Sequence, residues 1–281
     1  MSIYDDITKS IIAAIEAGVD GSGFKMPWHG AGVSPSNAWT GKKYSGMNTL
    51  NLWMCGARQG FESHEWATFK QWRTANATVK RGSKGAVIVF WKPLPPAEGE
   101  DKPRFVLKSS TVFNAEQVDG YTTPVQPVSA GPERIQEAER FVSAIPLDLR
   151  FGGASAYYNR RTDHVQLPPL EQFHTAAGYY SPLLHEAAHW TGHESRLDRT
   201  FGKRFGDQAY AFEELVAELS AAFLCAETGV SNEPRPDHAE YVAGWLKALE
   251  GDSRAIFTAA TSAQKATDFL CAFSQKMEKA A

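Results

Sequence analysis

Two histidines and a glutamate in the second half of the chain have the spacing that most directly suggests chemistry. His185, Glu186 and His189 form the pattern H-E-x-x-H. On an α-helix, residues four positions apart lie on one face, so both imidazoles could bind a single Zn²⁺. Glu186 directly follows the first histidine and could remove a proton from a water molecule at the metal. The motif predicts a site for Zn²⁺, or for another divalent metal such as Mn²⁺, with Glu186 as its catalytic residue.

A catalytic zinc site requires a third protein ligand and an open position for water. His193 would extend the pattern to H-E-x-x-H-x-x-G-H, but metzincin peptidases place their third histidine three residues after the glycine, where this chain has Ser195. We therefore interpret His193 as a polar residue beyond the helix end. The alternative is the helical stretch YAFEELVAELSAAFLCAE, in which Glu214 and Glu218 share a face. Apolar neighbours predict that these acids are buried, and a buried carboxylate requires a cation.

The E-x-x-A-E arrangement of Glu214, Ala217 and Glu218 resembles the second helix of gluzincin metallopeptidases. The resemblance implies that Glu214 binds the metal and that Glu218 supports one of the ligating histidines. These two roles could be exchanged between the two glutamates. Glu213, in contrast, is expected to point to a different face of the helix.

The elements that must position these residues can also be predicted. Ser181 and Pro182 suit the first positions of the helix that carries H-E-x-x-H, and Gly192 suits its end. Upstream, the segment HVQLP at 164–168 is typical of an edge strand that could pair with an extended peptide. Further helices are predicted from Asp237 onward, where we expect a supporting scaffold.

The first half of the chain combines basic and aromatic residues. Nine Lys and Arg residues against two Glu lie between Lys42 and Lys92, and six of the eight Trp residues precede residue 127. Lys and Arg side chains can bind the phosphates of a nucleic acid, and aromatic rings can stack on unpaired bases. This combination suits binding of single-stranded nucleic acid. The alternative is an ordinary solvated basic surface over an aromatic core.

Two groups of aromatic residues can be separated in this half. Trp66, Phe69 and Trp72 recur at helical spacing within WATFKQWRTANATV, so we expect a helix that places these rings in the core. Residues among turn-forming neighbours are better candidates for DNA contact, because turns tend to be exposed. These candidates are Trp39, Lys42, Lys43, Tyr44, Lys80, Arg81 and Lys84.

Composition predicts two domains. The stretch at 121–133 is rich in Pro, Thr, Ser and Gly, so we expect domains at 1–122 and 133–281 joined by a linker at 123–132. The predicted fold class is α+β. The first domain is expected to be a small α+β module, and the second to be mostly helical with a short β-sheet.

Composition also bears on where the chain acts. No apolar run approaches the roughly 20 residues needed to cross a bilayer, so we expect no membrane partner. Ile7, Ile11, Ile12 and Ile15 recur at helical spacing near the N-terminus, which predicts an amphipathic helix and not a signal peptide. The three cysteines are scattered, as is typical of thiols in a reducing cytoplasm.

With both halves considered, the chain resembles the ArdC-type antirestriction proteins of conjugative plasmids. The resemblance rests on PW at 27–28, NAWTGKKYSGMN, WATFKQW and KRGSKGAVIVFW, and on HEAAHWTGHESRLDR and EELVAELSAAFLCAE. It implies an N-terminal single-stranded-DNA-binding domain, also found in plasmid primases, and a zincin-like metallopeptidase domain. The implied function is to bind incoming plasmid DNA and help it evade host restriction.

The sequence is compatible with three functions. The first is an antirestriction protein that binds single-stranded DNA and also hydrolyses a protein substrate at a zinc site. The second is a non-catalytic DNA-binding shield whose metal is purely structural. The third is a peptidase whose N-terminal domain binds protein, which predicts no affinity for single strands.

Overall fold

The computed structural model describes residues 3–20, 26, 28, 33–96, 104–122, 132–201, 208–230 and 238–280. The chain divides into two compact units. One unit is formed by residues 35–126, and we call it the central unit. The other combines residues 1–34 with residues 127–281, and we call it the helical unit. No helix in the described part of the chain is both long and apolar enough to cross a membrane.

The central unit contains a four-stranded sheet and a two-stranded sheet. The order in the larger sheet is β1-β2-β5-β4, with β1 parallel to β2 and the other pairs antiparallel. The smaller sheet pairs β3 with β6. The strands are β1 (Ser36–Asn37), β2 (Glu65–Thr68), β3 (Thr78–Val79), β4 (Ala86–Leu94), β5 (Arg104–Asn114) and β6 (Val118–Asp119).

Helix α2 (Met47–Gln59) covers the outer strand of this sheet. Its Asn48 side chain exchanges two hydrogen bonds of 2.8 Å with the backbone of Val89, and Asn51 donates to the carbonyl of Val87 at 2.7 Å. These amides satisfy backbone groups that an edge strand would otherwise leave exposed. The helix ends at Gly60, whose φ of 70° is a conformation that favours glycine.

The predicted helix over WATFKQWRTANATV is corrected by the structure. Trp66 lies in strand β2, and helix α3 (Phe69–Thr74) begins only after Thr68, whose side chain accepts from the backbone N–H of Gln71 in a capping box. Trp66 and Trp72 are buried as expected. Phe69 is 49% exposed, because it occupies the first position of a short helix and is not part of a continuous apolar stripe.

Within the described residues, the helical unit packs six α-helices with a three-stranded sheet of order β7-β9-β8. Strand β9 is therefore central, and the predicted edge strand at 164–168 is wrong. It pairs in parallel with β7 and antiparallel with β8, so its backbone is already used on both sides. The elements are α1 (Ile3–Asp20), α4 (Pro132–Ala144), β7 (Asp148–Phe151), β8 (Tyr157–Asn159), β9 (His164–Leu167), α5 (Ala176–Thr191), α6 (Gln208–Thr228), α7 (His238–Gly251) and α8 (Ala255–Ala280).

Helix α5 begins earlier than its sequence predicted. Thr175 is the N-cap, because its side chain accepts from the backbone N–H of Gly178 at 2.9 Å. Ser181 and Pro182 consequently lie inside the helix. The predicted end at Gly192 is confirmed, since the last helical residue is Thr191.

Helix α1 belongs to the helical unit, which differs from the predicted first domain of residues 1–122. Ile11 and Ile15 are fully buried, and the Thr8 hydroxyl donates to the carbonyl of Ser253 at 2.7 Å. The ring of Tyr4 contacts that of Phe257 with centroids 4.6 Å apart. The amphipathic face recognised in the sequence is thus buried against the C-terminal helices. The predicted linker at 123–132 lies, except for its last residue, outside the described residues.

We expect Ile11→Ala to lower the free energy of unfolding by about 2–5 kcal/mol, because it leaves a cavity beneath α1. Ile12→Ala is the matched control, since Ile12 is only half-buried on the same helix and should lose clearly less. Urea denaturation of the full-length chain measures both. Equal losses would contradict the packing described for α1.

Candidate metal centre

Helices α5 and α6 place two imidazoles opposite one carboxylate. His185 Nε2 lies 3.4 Å from Glu214 Oε2, and His189 Nε2 lies 3.5 Å from Glu214 Oε1. All three side chains are buried, and one ligand atom from each lies within 4.8 Å of the others. The structure therefore brings together the three residues that the sequence proposed as metal ligands.

This donor set fits a divalent metal. A tetrahedral Zn²⁺ with bonds of about 2.0–2.1 Å would hold its ligand atoms about 3.3 Å apart, and each imidazole Nε2 lies 3.4 or 3.5 Å from one of the two Glu214 oxygens. Two imidazoles and one glutamate also form one of the known ligand sets of catalytic zinc. His185 and His189 both direct Nε2 towards Glu214 and Nδ1 towards a second carboxylate, as metal-binding histidines commonly do.

Glu218 lies behind the first histidine. Its Oε2 is 3.6 Å from His185 Nδ1, while its Oε1 accepts a hydrogen bond of 3.0 Å from the indole N–H of Trp28. The carboxylate is therefore placed to orient a ligand, and Glu214 occupies the position of the third ligand. This geometry favours Glu214 as the candidate ligand and Glu218 as the supporting carboxylate, and not the exchanged assignment.

Glu213 has the corresponding position behind the second histidine, which the sequence did not predict. Its Oε1 lies 3.2 Å from His189 Nδ1. Burial lowers the pKa of His189, but Glu214 and Glu213 outweigh it and raise that pKa to about 10. A cation bound here would therefore displace a proton from the imidazole. The sequence feature that could have indicated this role is the pair of adjacent glutamates, Glu213 and Glu214, on a largely apolar helix.

Arg199 fixes Glu213 from the other side. Its Nε and Nη2 donate to the two carboxylate oxygens at 2.9 and 2.7 Å, and its guanidinium also donates to the Thr191 hydroxyl and the Ala188 carbonyl. Burial raises the pKa of Glu213, but hydrogen bonds from His189 and Arg199 hold it below its ordinary value. Arg199 thus keeps the carboxylate charged and also satisfies a carbonyl near the end of α5.

Glu186, the predicted catalytic residue, is 4% exposed and is held by the small sheet. Its Oε2 accepts a hydrogen bond of 2.8 Å from the backbone N–H of Tyr158 on β8. Tyr158 is itself fixed, because its hydroxyl donates to Asp163 at 2.8 Å and Asp163 forms an ion pair with Arg196. The carboxylate beside the two histidines therefore has a defined orientation.

The turn after α5 is tied back to the helix. Arg196 Nε donates to the carbonyl of Trp190 at 2.6 Å, and its guanidinium stacks 3.9 Å above the Trp190 ring. His193 lies in this turn, where its Nδ1 is 2.8 Å from the Ser195 hydroxyl. This agrees with the interpretation of His193 as a polar residue beyond the helix and not a ligand.

The predicted DNA-contact residues divide into two groups. Trp39 is 52% exposed, and the basic residues are also exposed, although Lys80 Nζ donates to the carbonyl of Glu116 at 3.0 Å. Tyr44 differs from the expectation. Its half-buried hydroxyl accepts from Asn37 Nδ2 and donates to the carbonyl of Trp66, so it braces the fold. The exposed group is Trp39, Lys42, Lys43, Lys80, Arg81 and Lys84.

The β4–β5 hairpin exposes aromatic rings that the sequence analysis did not single out. Trp91 and Phe105 are 59% and 60% exposed. They share one face, because Trp91 pairs with Leu107 and Pro93 with Phe105, and alternate residues of a strand point the same way. The signal that could have found them is the pair of segments VFWK and RFVLK, in which aromatic and basic residues are adjacent.

The fold and the paired helical motifs define a protein that joins a zincin-like metallopeptidase domain to a second α+β unit. The family model for a zincin-like metallopeptidase matches residues 136–262, and the model for the N-terminal domain of anti-restriction factor ArdC matches residues 1–118. The chain belongs to the ArdC-type antirestriction proteins. The predicted fold class, with two α+β parts, is confirmed.

Similar proteins cover nearly the whole chain. The uncharacterized protein y4eC of Sinorhizobium fredii (strain NBRC 101917 / NGR234) is 45% identical over 281 residues, which are 95% of this chain and 91% of that protein. DNA primase TraC of Escherichia coli is 36% identical across 97% of this chain, but the match spans only 27% of the primase.

Solved structures agree. The metal-free crystal structure of the antirestriction ArdC protein from plasmid R388 has a TM-score of 0.83 at 39% identity and covers 98% of this chain and 99% of that one. The Mn(II)-bound structure of the same protein has a TM-score of 0.82 at 38% identity, with 98% of each chain covered.

We expect Glu213→Gln to weaken binding of Zn²⁺ or Mn²⁺ about 10- to 100-fold, because the His189 imidazole loses the charged partner that orients it. Calorimetric titration of metal into the metal-free protein measures the effect. Glu171→Gln is the control, since Glu171 is exposed on a short 3₁₀ helix outside the site. Equal affinities in the two variants would show that Glu213 does not support the site.

Proposed function

We propose that this chain is an antirestriction protein that binds single-stranded DNA, protects incoming plasmid DNA from host restriction, and hydrolyses a protein substrate at a divalent metal centre. The observation that carries the catalytic part is the convergence of His185, His189 and Glu214, with Glu186 beside them. Zn²⁺ is the metal that this donor set favours, and the Mn(II)-bound relative makes Mn²⁺ the second candidate. We place this action in the cytoplasm, where the free cysteines would stay reduced.

In this mechanism His185, His189 and Glu214 hold the metal. When bound, the cation supplies Lewis acidity, which polarises a substrate carbonyl and lowers the pKa of a water molecule. The Glu186 carboxylate accepts the proton of the attacking water and later delivers it to the leaving amine. The Tyr158 N–H keeps the carboxylate in one orientation through both transfers.

The surroundings of the site strengthen this chemistry. His185, Glu186 and Glu214 are buried, so the charges act in a medium of lower dielectric than water. The Phe201 ring lies 6.0 Å from the His189 ring and 6.4 Å from the Tyr158 ring, at the side of the site that faces β8. Such shielding limits access of bulk water to the reacting groups.

We expect Glu186→Gln to keep metal binding and unfolding stability close to those of the unaltered protein while abolishing hydrolysis. The amide keeps the size and can still accept the Tyr158 hydrogen bond, but it cannot take up the proton. Metal content and urea unfolding measure the first two properties, and a conjugation assay against a restricting host measures the protection that we assign to hydrolysis. His185→Ala is the comparison that should lose metal as well.

The same variant separates the proposal from its alternative. In a DNA-binding shield whose metal is purely structural, Glu186→Gln would protect plasmid DNA as well as the unaltered protein does. Full protection by this variant would therefore overturn a catalytic role in antirestriction. Loss of protection with retained metal supports it.

The DNA-binding part is supported by the exposed surface of the central unit. Trp91 and Phe105 offer a face for base stacking, and Lys92, Arg104 and Lys108 are exposed cations on the opposite face of the same two strands. Exposed rings and cations on one hairpin suit a single strand, whose bases are accessible, better than a duplex. The connecting residues 97–103 contain three acids, so we assign the contact to the strands.

We expect the double change Trp91→Ala and Phe105→Ala to weaken binding of a labelled single-stranded oligonucleotide by at least about tenfold, because each stacked base contributes about 1–3 kcal/mol. Phe151→Ala is the matched control, since Phe151 is 59% exposed on the helical unit. Fluorescence anisotropy at several salt concentrations measures the affinity and its electrostatic part. Unchanged affinity in the double variant would remove the hairpin from the binding surface, and absence of any affinity in the unaltered protein would exclude DNA binding.

A further inference from the structure

The indole of Trp28 reaches the metal centre from the other end of the chain. Its Nε1–H donates to Glu218 Oε1 at 3.0 Å, across 190 residues of sequence. The second oxygen of the same carboxylate lies 3.6 Å from His185 Nδ1. Trp28 is fully buried, and Glu218 is 1% exposed. A single carboxylate thus links an N-terminal indole to a candidate metal ligand.

The packing around Trp28 fixes its position. Its ring lies 6.2 Å from that of Trp245 on α7, and Met26 is buried beside it in sequence. Further along the chain, the Ser34 hydroxyl donates to Glu227 on α6 at 3.3 Å. Helix α1, which precedes Trp28 in the sequence, is anchored by its buried isoleucines. The described residues on both sides of Trp28 are therefore anchored to the helical unit.

We propose that Trp28 is a positioning residue of the metal centre, which therefore includes the N-terminal segment of the chain. The inference rests on the metal site of the proposed function. The Trp28 N–H holds one oxygen of Glu218, so the other oxygen stays directed at His185 Nδ1. At 3.6 Å this pair is an electrostatic contact, and it favours the orientation in which His185 Nε2 faces Glu214. Trp28 does not touch the metal or substrate and acts only through Glu218.

This role has a physical reason. A carboxylate buried as deeply as Glu218 must find donors, and each donor that it has also restricts its rotation. An indole N–H in a packed ring is a rigid donor. Without it, we expect Glu218 to sample other orientations, and the imidazole of His185 to lose its fixed direction. Supporting contacts of this kind affect metal affinity by about 10- to 100-fold.

The inference also changes how the chain divides. The family model of the N-terminal domain ends at residue 118 and that of the metallopeptidase begins at residue 136. Trp28 lies within the first match, yet its side chain contacts the helical unit. A metallopeptidase domain cut at the family boundaries would therefore lack a donor to its own metal centre.

The test compares two buried tryptophans in the full-length chain. Trp28→Phe removes the N–H that binds Glu218 and keeps an aromatic ring. Trp72→Phe is the matched control, because Trp72 is also buried, lies in the central unit, and donates its N–H to the backbone carbonyl of Phe113 at 3.0 Å. Affinity for Zn²⁺ is measured by competition with a chelator, and stability by urea unfolding of the metal-free protein.

We expect Trp28→Phe to raise the Kd for Zn²⁺ at least about tenfold, and Trp72→Phe to change it less than about twofold. The double variant of Trp28→Phe and Glu218→Gln should bind Zn²⁺ no more weakly than Glu218→Gln alone, since both changes interrupt one link. Additive losses, or equal Kd values for the two tryptophan variants, would overturn the proposal.

Two further outcomes are distinguishable. If the unaltered protein binds no Zn²⁺, or His185→Ala binds it equally well, the metal site itself fails. If Trp28→Phe does not fold, ¹⁵N-tryptophan spectra of the unaltered protein and of Glu218→Gln replace it. One solvent-protected indole N–H signal should shift on addition of Zn²⁺ and move in Glu218→Gln. No such signal would overturn the role of Trp28.

Discussion

The structure of the helical unit depends on how it accommodates negative charge in its interior. Glu186, Glu213, Glu214 and Glu218 are all at least 93% buried between packed helices. Arg199, a guanidinium that is itself mostly buried, compensates one of these carboxylates directly. Buried charges without partners are strongly unfavourable, so the remaining carboxylates need donors and a cation. A divalent metal between His185, His189 and Glu214 supplies that charge where the donors already converge.

Two of the remaining carboxylates each accept a hydrogen bond from a fixed donor. The Tyr158 N–H from the small sheet holds Glu186, and the Trp28 indole holds Glu218. The donors come from separate parts of the chain, so folding of the helical unit and assembly of the site are one event. Close packing makes this arrangement specific. A Cβ on Gly192 would come within 2.7 Å of the Phe201 ring and 2.9 Å of the Arg199 guanidinium, so both side chains would have to shift to admit one.

The sequence predicted the parts that depend on local spacing. H-E-x-x-H and the acids at 214 and 218 lie where helical periodicity places them, and both helices form. Predictions from local patterns failed where contacts between residues far apart in the sequence determine the structure. Glu213 was assigned to another face, yet two adjacent residues of one helix can both reach the site because α5 carries histidines on successive turns. The position of α1 and the contact of Trp28 could not be seen, since nothing local links residue 28 to residue 218.

In the central unit, too, local sequence indicates some elements, while tertiary contacts determine the position of individual side chains. Its strands at 86–94 and 104–114 are rich in β-branched and aromatic residues, a local composition that favours strands. Tyr44 was expected at the surface because its neighbours are turn formers, but its hydroxyl binds groups on β1 and β2. Trp91 and Phe105 show the opposite, because aromatic residues of their strands would be expected to be buried but are exposed on the hairpin. Strand residues with this composition are usually buried, so only the structure distinguishes them.

X-ray absorption spectroscopy of the Zn²⁺-loaded protein tests the central claim most directly, because it identifies the atoms around the metal. We expect a shell of nitrogen and oxygen at about 2.0–2.1 Å, with the scattering of two imidazoles, reduced to one in His189→Gln. A sulfur shell at about 2.3 Å, or a spectrum without imidazole, would place the metal elsewhere and contradict the site described here.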